Sequence, residues 1–266
     1  PLSNTFVRRV HAVLQAALKQ AVKERLIPYN PCENCRIPPK DKKEMTILPP
    51  EKIGRYLQEA EKYGVLPMFY LELSSGLRWG ELLALQWTDL NVKERILTVN
   101  KQVTRMEGEL NVTEPKTKNS VRKVALSQQA VDLLVQEHEQ HPDNPILFPS
   151  PRTGGYWSPD AVSRINRKLL KTAGIEEHVR FHDLRHTFAT MAISSGVDVK
   201  TLSSMLGHYS AGFTLDTYTH ITNDMQRGAA EKIGGFMESA TATTTPEPPD
   251  PPEESRCKVI PFERVG

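Results

Sequence analysis

The chain has 266 residues, of which 38% are hydrophobic and 25% are charged, as is typical of a globular protein. This length can bury one substantial core and a smaller unit, and no apolar run reaches the roughly 18 residues that a membrane span needs. The formal net charge is only +2, so the overall charge is a weak argument for a nucleic-acid partner.

The first segment is predicted to be an amphipathic helix followed by a basic linker. Apolar residues recur with a helical period from Thr5 to Ile27, and the prolines that begin at Pro28 end this pattern. Pro28 to Glu44 is rich in proline and lysine and is predicted to be a linker. Residues 1–43 carry nine basic and three acidic side chains, which favours contacts with phosphate, although a solvated helix face could have the same composition.

Two of the three cysteines lie in Cys32-Glu33-Asn34-Cys35, which has the spacing of a zinc knuckle. No second pair of ligands is within reach in the sequence, Cys257 falls in the tail, and a structural zinc site usually takes four ligands. The sequence therefore favours a protein without metal or cofactor. So few cysteines also argue against a disulfide framework and for a reducing compartment.

From residue 45 onwards the pattern predicts a mainly helical domain with a small antiparallel three-stranded β-sheet. One helix is predicted to start at Leu48-Pro49-Pro50-Glu51, since proline is tolerated in the first turn. A second, buried helix spans Val65 to Ser74, Gly76 forms a turn, and Glu81 to Leu85 continues helically. Three short strands are predicted at Arg95 to Gln102, about Glu109 to Thr113, and Val121 to Leu126.

The second half is predicted to be helical and to end in a disordered tail. The expected helices are one capped by Ser127 and running to about His141, one from Ser158 to near Gly174, His182 to Ser195, a short helix capped by Asp198, Thr214 to Thr219, and Asn223 to Phe236. From Thr241 the chain is rich in threonine and proline and is acidic, which predicts disorder.

Basic and aromatic side chains form a pattern that suits phosphoryl transfer. His182-Asp183-Leu184-Arg185-His186 is followed by Leu206-Gly207-His208 and by Tyr218, and Gly76-Leu77-Arg78-Trp79-Gly80-Glu81 supplies a second arginine. Displacement at phosphorus gathers negative charge on the non-bridging oxygens, so catalysis depends on positioning and electrostatic stabilisation. Fixed arginines supply both and make a metal ion dispensable, and no cluster of acidic residues is spaced to hold one.

The order Arg, Lys, His-x-x-Arg, His, Tyr resembles that of the tyrosine recombinases, the phage integrase family, from about Thr5 to about Gly235. The resemblance implies their catalytic-domain fold, with Arg78 and Arg185 as phosphate clamps and Tyr218 as the nucleophile. It implies a 3′-phosphotyrosyl bond and a free 5′-hydroxyl, formed without metal or ATP.

The same resemblance assigns the proton transfers. His182 matches the general base, and His208 matches the histidine that hydrogen-bonds the phosphate region. The general acid is a lysine on a hairpin loop, for which Lys116 fits best and Lys118 is the competitor. Glu81 lies one helical turn after Arg78 and could orient it.

Each of these side chains also has a structural interpretation. A lone histidine on a helix is more often structural than catalytic, a single arginine is usually solvated or ion-paired, and Tyr218 alone would be a partly buried aromatic. Tyr209 adjoins His208 and is assigned to packing. The six placements match in type and order, which favours the catalytic interpretation.

The resemblance also implies an organisation and partners. Residues 1–44 are expected to be the C-terminal remnant of a core-DNA-binding domain plus a linker, 45–240 the catalytic domain and 241–266 the tail, so the N-terminus is expected to be a cut within a longer protein. The expected partners are double-stranded DNA and further copies in a tetrameric homo-oligomer. The terminal helix either docks on a neighbouring protomer or folds onto its own domain. Integration and excision of a mobile element in the bacterial cytoplasm, away from membranes, is the predicted role.

Two rival functions stay open at this point. A type IB topoisomerase shares the tyrosine and clamp chemistry, but it usually has a lysine where His182 stands and works as a monomer on one strand. A catalytically inert DNA-binding module is the other rival, and the complete set of six side chains argues against it.

Overall fold

The computed structural model describes residues 2–39, 46–106, 108–114, 121–207, 212, 214–215 and 230–239. This part of the chain is mainly helical, as predicted. Its helices are α1 (Asn4–Lys23), α2 (Pro50–Lys62), α3 (Leu66–Ser75), α4 (Trp79–Ala84), α5 (Gln128–Glu139), α6 (Pro159–Thr172), α7 (Phe181–Ser194) and α8 (Val199–Leu206). Its strands are β1 (Leu90–Asn91), β2 (Ile96–Val99), β3 (Gln102–Met106), β4 (Glu109–Thr113) and β5 (Arg122–Ala125).

The first helix is capped by Ser3, whose side chain accepts a hydrogen bond from the Phe6 amide at 3.2 Å. It ends at Lys23 and not near Ile27, because the chain leaves the helix through Arg25 with φ of 60°. The following segment then runs back along α1. No residue of α1 is buried by the described part of the chain.

The core of the following domain is built around α2, α3 and α7. Phe69 of α3 contacts Tyr56 of α2 and Phe181 of α7, with ring centroids 5.8 and 5.5 Å apart and edge-on geometry. Asn166 accepts a hydrogen bond from the Tyr56 hydroxyl at 2.6 Å and donates to the Val179 carbonyl at 2.9 Å. These contacts fix the loop before α7, and with it the start of that helix.

The predicted three-stranded antiparallel sheet is present, but its strands differ from the prediction. Its order is β1-β2-β5, and β3 pairs only with β4 in a separate hairpin. The strand expected from Arg95 to Gln102 is broken after Val99, where the Lys101 ammonium binds both carboxylate oxygens of Asp89 at 2.7 and 2.8 Å. Two-residue β1 was missed because an alternating pattern cannot be recognised over two positions.

The predicted helix starts of the second half agree with the structure. Ser127, Ser158 and Asp198 each accept a backbone hydrogen bond at the start of α5, α6 and α8. Of the helix predicted from Asn223 to Phe236, residues 230–236 are described and are helical, and the helix continues to residue 239, whereas the tail from residue 241 lies outside the described residues. Among the described helices, none is long and apolar enough to cross a membrane.

Candidate active site

Gly76 forms the turn that presents Arg78 to the site. Its φ of 60° ends α3 in the left-handed region, and an added Cβ would lie 2.2 Å from Cδ1 of Phe188. A glycine is therefore needed both for the backbone conformation and for the close approach of α7. The turn also provides an acceptor, because the Gly76 carbonyl receives a hydrogen bond from Arg185 Nη1 at 2.7 Å.

Glu81 orients Arg78 from within the first turn of α4. Its carboxylate accepts hydrogen bonds from the Arg78 amide at 2.9 Å and from Arg78 Nη1 at 2.7 Å. The contact expected from the helical spacing is thus present, although the catalytic role of Glu81 stays a prediction. The carboxylate is only 2% exposed, whereas the Arg78 side chain is 37% exposed and reaches the surface.

A second arginine, Arg122 of β5, binds the same carboxylate. Its Nη1 and Nη2 donate to the two oxygens of Glu81 at 3.0 and 2.9 Å, and both side chains are buried. Burial raises the pKa of Glu81, but the hydrogen bonds and charge of Arg122, together with Arg78, more than offset this and leave the pKa below its ordinary value. Glu81 is therefore ionised at neutral pH and holds two cations in place.

The C-terminal end of α8 is held by three guanidinium groups. The last carbonyls of a helix have no partner within it, so they need donors from elsewhere. The donors are Arg122 Nε to the Met205 carbonyl at 2.6 Å, Arg185 Nη2 to that of Leu206 at 2.7 Å, and Arg78 Nη2 to that of Gly207 at 2.9 Å. Cations are also favoured at the negative end of the helix dipole, so α8 and the arginines position one another.

Arg185 lies deeper in the site than Arg78 and is 4% exposed. Burial, followed by the positive charge of Arg78, lowers the pKa of Arg185 to about 10, so it remains a cation at neutral pH. Its charge acts on Glu72, which is 1% exposed and has no hydrogen-bond partner among the described residues. Burial raises the pKa of Glu72 well above its ordinary value despite the charge of Arg185, which favours the protonated carboxyl.

His182 stands in the first turn of α7, whose start is closed by a hydrogen bond from the Arg180 amide to Asp183 at 2.8 Å. Partial desolvation, followed by the positive charge of Arg185, lowers the pKa of His182 below its ordinary value. The ring of His186 lies edge-on to it with centroids 5.3 Å apart, and burial, followed by His182, lowers the pKa of His186 to about 4. Both imidazoles are therefore neutral at pH 7, and a neutral imidazole can accept a proton.

The fold brings together the described members of the predicted set. Arg78, Arg185 and His182 interact electrostatically within one site, and Glu81 binds Arg78 directly. The other members, Lys116, His208 and Tyr218, lie outside the described residues, as do the alternatives Lys118 and Tyr209.

Arg122 is the site residue that the sequence analysis missed. A signal was available, because it alternates with Val124 and Leu126 on the inward face of a predicted strand. A charged side chain at such a position needs a buried partner, which the sequence does not identify.

The model of the phage integrase family matches residues 48–225. The ICEBs1 integrase of Bacillus subtilis (strain 168) is 31% identical over 249 residues, which cover 89% of this chain and 67% of that protein. A XerC-like tyrosine recombinase of Caldanaerobacter subterraneus is 28% identical over 263 residues, covering 88% and 67%.

Solved structures share the fold. A Tn1549 transposon integrase in complex with circular intermediate DNA superposes with a TM-score of 0.74 at 23% identity, covering 87% of this chain and 81% of that one. The crystal structure of XerA recombinase gives a TM-score of 0.58 at 24% identity, covering 85% and 83%.

Proposed function

The chain belongs to the phage integrase family and is a tyrosine recombinase of the mobile-element type, and from this premise we propose that it cleaves and rejoins double-stranded DNA through Tyr218. One observation carries the proposal: the guanidinium groups of Arg78 and Arg185 are fixed on the consecutive carbonyls of Gly207 and Leu206 at the C-terminal end of α8, near the neutral imidazole of His182. Two rigid cations and a proton acceptor are what displacement at a phosphodiester requires.

Arg78 and Arg185 retain N–H groups that can donate to a phosphate. A guanidinium has five N–H groups, and the described residues accept hydrogen bonds from two nitrogens of Arg78 and two of Arg185. The bonds already made fix the planes of both groups, so binding a phosphate needs little reorganisation. In this role the two arginines stabilise the charge on the non-bridging oxygens without a metal ion.

The remaining steps follow the predicted roles. The Tyr218 phenol has an ordinary pKa near 10, so forming the phenolate at neutral pH costs roughly 4 kcal/mol, which His182 offsets by accepting the proton. The phenolate oxygen bonds to phosphorus as the bond to the 5′-oxygen breaks, and Lys116 gives that oxygen a proton. His208, which the sequence attaches directly to Gly207, supports the transition state. Because the phosphotyrosyl bond retains the energy of the diester, rejoining needs no ATP.

We further propose that the protein works as a homo-oligomer, a tetrameric synapse on DNA in the cytoplasm, during integration and excision. One solved relative is a lambda integrase dimer bound to a core site. In this chain residues 230–239 form a helix that is exposed throughout, with Ile233 64% and Phe236 71% exposed. An exposed apolar helix face of this kind supports docking on a neighbouring protomer over packing on its own domain.

Covalent trapping tests the nucleophile. The chain would be incubated with a pool of nicked duplexes of randomised sequence, and covalent protein–DNA adducts would be separated on a denaturing gel. We expect an adduct with the parent protein and none with Tyr218→Phe, whereas the matched control Tyr209→Phe should form it. DNA binding by the parent without an adduct would support an inert binding module. In a separate assay on supercoiled plasmid, relaxation without strand exchange would support the topoisomerase rival.

The general acid is tested on DNA in which sulfur replaces the 5′-bridging oxygen. A thiolate leaves without receiving a proton, so this substrate should rescue Lys116→Ala selectively and restore adduct formation. Lys118→Ala is the control for the competing assignment. Rescue of Lys118→Ala in place of Lys116→Ala would transfer the role to Lys118.

A further inference from the structure

Three side chains with metal-binding atoms meet in the N-terminal segment. His11 of α1, Cys32 and Cys35 each offer one ligand atom, and these atoms all lie within 4.8 Å of one another. In the sequence the two cysteines lack further ligands nearby, and the fold supplies a third by bringing the segment after α1 back to the helix.

Hydrogen bonds of neighbouring residues hold the segment against α1, while the Cys35 thiol donates to the Pro31 carbonyl at 3.5 Å. Asn30, which is 5% exposed, donates to the Gln15 carbonyl at 3.2 Å and accepts from the Cys32 amide at 2.9 Å. Further along, Arg8 Nη1 donates to the Pro38 carbonyl at 2.8 Å. The backbone that carries the cysteines is therefore positioned next to His11 in advance.

We propose that His11, Cys32 and Cys35 bind a Zn²⁺ ion that fastens the basic linker to α1. Zinc takes thiolate and imidazole ligands at about 2.3 and 2.0–2.1 Å in a tetrahedral arrangement, so its ligand atoms lie roughly 3.5 Å apart. The three ligand atoms, which lie within 4.8 Å of one another, need to approach by little more than about 1 Å to reach that spacing. Three protein ligands leave one position for water or for a group from another part of the protein.

The surroundings of the ligands suit such an ion. The Cys32 carbonyl lies 3.3 Å from Nε2 of His11, and a backbone carbonyl of this kind commonly orients a histidine whose other nitrogen binds metal.

The ion would stabilise a segment that has little core of its own. Within the described part of the chain no residue of α1 is buried, and its apolar side chains include Val13, which is 72% exposed. A link from His11 to Cys35 closes a loop of about 24 residues, which restrains the unfolded segment. The orientation of the six basic side chains in residues 2–39 would thereby depend on metal.

Cobalt substitution tests the site in the whole, reduced chain. Co²⁺ alone is titrated while the thiolate-to-cobalt charge-transfer band is recorded, and Zn²⁺ alone is then used to displace it. We expect one ion per chain, and we expect Cys32→Ser or Cys35→Ser to weaken Zn²⁺ binding by more than about 100-fold. His11→Gln should weaken binding and change the cobalt spectrum, and the controls Cys257→Ser and His141→Gln should bind as the parent does.

A second readout does not depend on the variants folding. Zn²⁺ should slow proteolysis between residues 24 and 39 of the parent chain, and removing it with a chelator should restore cleavage. A reduced parent chain that takes up no Co²⁺, or metal uptake that persists in the Cys32→Ser/Cys35→Ser double variant, would overturn the proposal. The covalent DNA adduct of Tyr218 is a separate measurement, so failure here leaves the proposed function untouched.

Discussion

The guanidinium groups of Arg78 and Arg185 donate to consecutive carbonyl oxygens, those of Gly207 and Leu206. In the proposed function each arginine therefore has two tasks, because it would donate to a phosphate and it also fixes the end of α8. The sequence continues from Gly207 directly into His208. We infer that the two arginines position the start of the segment that carries His208 as well as any bound phosphate.

Replacing either arginine by lysine tests this double task. Lysine keeps the charge but loses the planar fork, so Arg78→Lys and Arg185→Lys should each reduce the rate of adduct formation by about 10²–10³. Single-turnover rates on nicked DNA measure the effect. Arg105→Lys is the control, because Arg105 forms an exposed ion pair with Asp160 and should cost less than about twofold. Equal rates for Arg78→Lys and the parent would contradict the clamp.

Arg122 is predicted to act through Glu81 and α8 without contacting DNA. Arg122→Leu removes the buried partner of Glu81 and the donor to the Met205 carbonyl, so it should cost about 3–5 kcal/mol of stability. Urea unfolding measures this loss of stability. The control is Lys62→Gln, because Lys62 is 69% exposed in its ion pair with Glu59, and this substitution should change the free energy of unfolding by less than about 1 kcal/mol.

The catalytic effect of Arg122 is measured below the unfolding temperature. Because a residue that orients a clamp usually costs about 10–100-fold when removed, the rate of adduct formation by Arg122→Leu should fall by that amount. Arg122→Lys should recover part of the rate, since a buried cation still faces Glu81. A rate loss with unchanged stability would argue that Arg122 contacts DNA instead.

The pH profile reports on His182. Its pKa is lowered, so the imidazole is neutral and able to accept a proton at pH 7, and it becomes protonated only as the pH falls through that lowered value. The rate of adduct formation should therefore decline on the acid side with a midpoint below 6.5, the ordinary value. The rate of adduct formation by His182→Gln should be about 10²–10⁴ lower than that of the parent. Its pH profile should also lack the decline on the acid side. The exposed His178→Gln control should keep the limb, and an unchanged profile in His182→Gln would exclude the base role.

Glu72 makes the stability of the fold depend on pH. Its folded pKa is raised above the ordinary value of 4.5, so its contribution is fully present below about pH 4.5 and is lost as the pH rises through the folded value. Glu72→Gln removes this loss and should raise the Tm by about 2–4 °C at pH 8 but not at pH 4. Thermal unfolding at pH 4 and pH 8 measures the change in Tm. An equal gain in Tm at both pH values would contradict the raised pKa of Glu72.

Gly76→Ala tests the turn before Arg78. The substitution combines a left-handed φ with a Cβ placed 2.2 Å from Phe188, so it should cost more than about 2 kcal/mol and disturb the carbonyl that Arg185 binds. Gly54→Ala is the matched control, because Gly54 lies in α2 with nothing within 4 Å of an added Cβ. That control should stabilise the protein by about 0.5–1 kcal/mol. Thermal unfolding of both variants decides the comparison.

Local patterns were predicted well because they depend on neighbours in the chain. The caps at Ser127 and Ser158, the turn at Gly76 and the contact between Glu81 and Arg78 all join residues within a few positions of each other. The end of α1 and the strand from Arg95 to Gln102 were predicted wrongly in extent. That segment divides into β2 and β3 next to the contact between Lys101 and Asp89, and periodicity contains no information about such a contact.

The order of Arg78, His182 and Arg185 along the chain is a property of the sequence, and it was enough to predict the family. The contacts that these side chains make depend on the fold. Arg122 reaches Glu81 across 41 positions, and His11 reaches Cys32 across 21. The sequence does not identify such partners, because a buried polar or charged group is paired with residues that only the fold brings close to it.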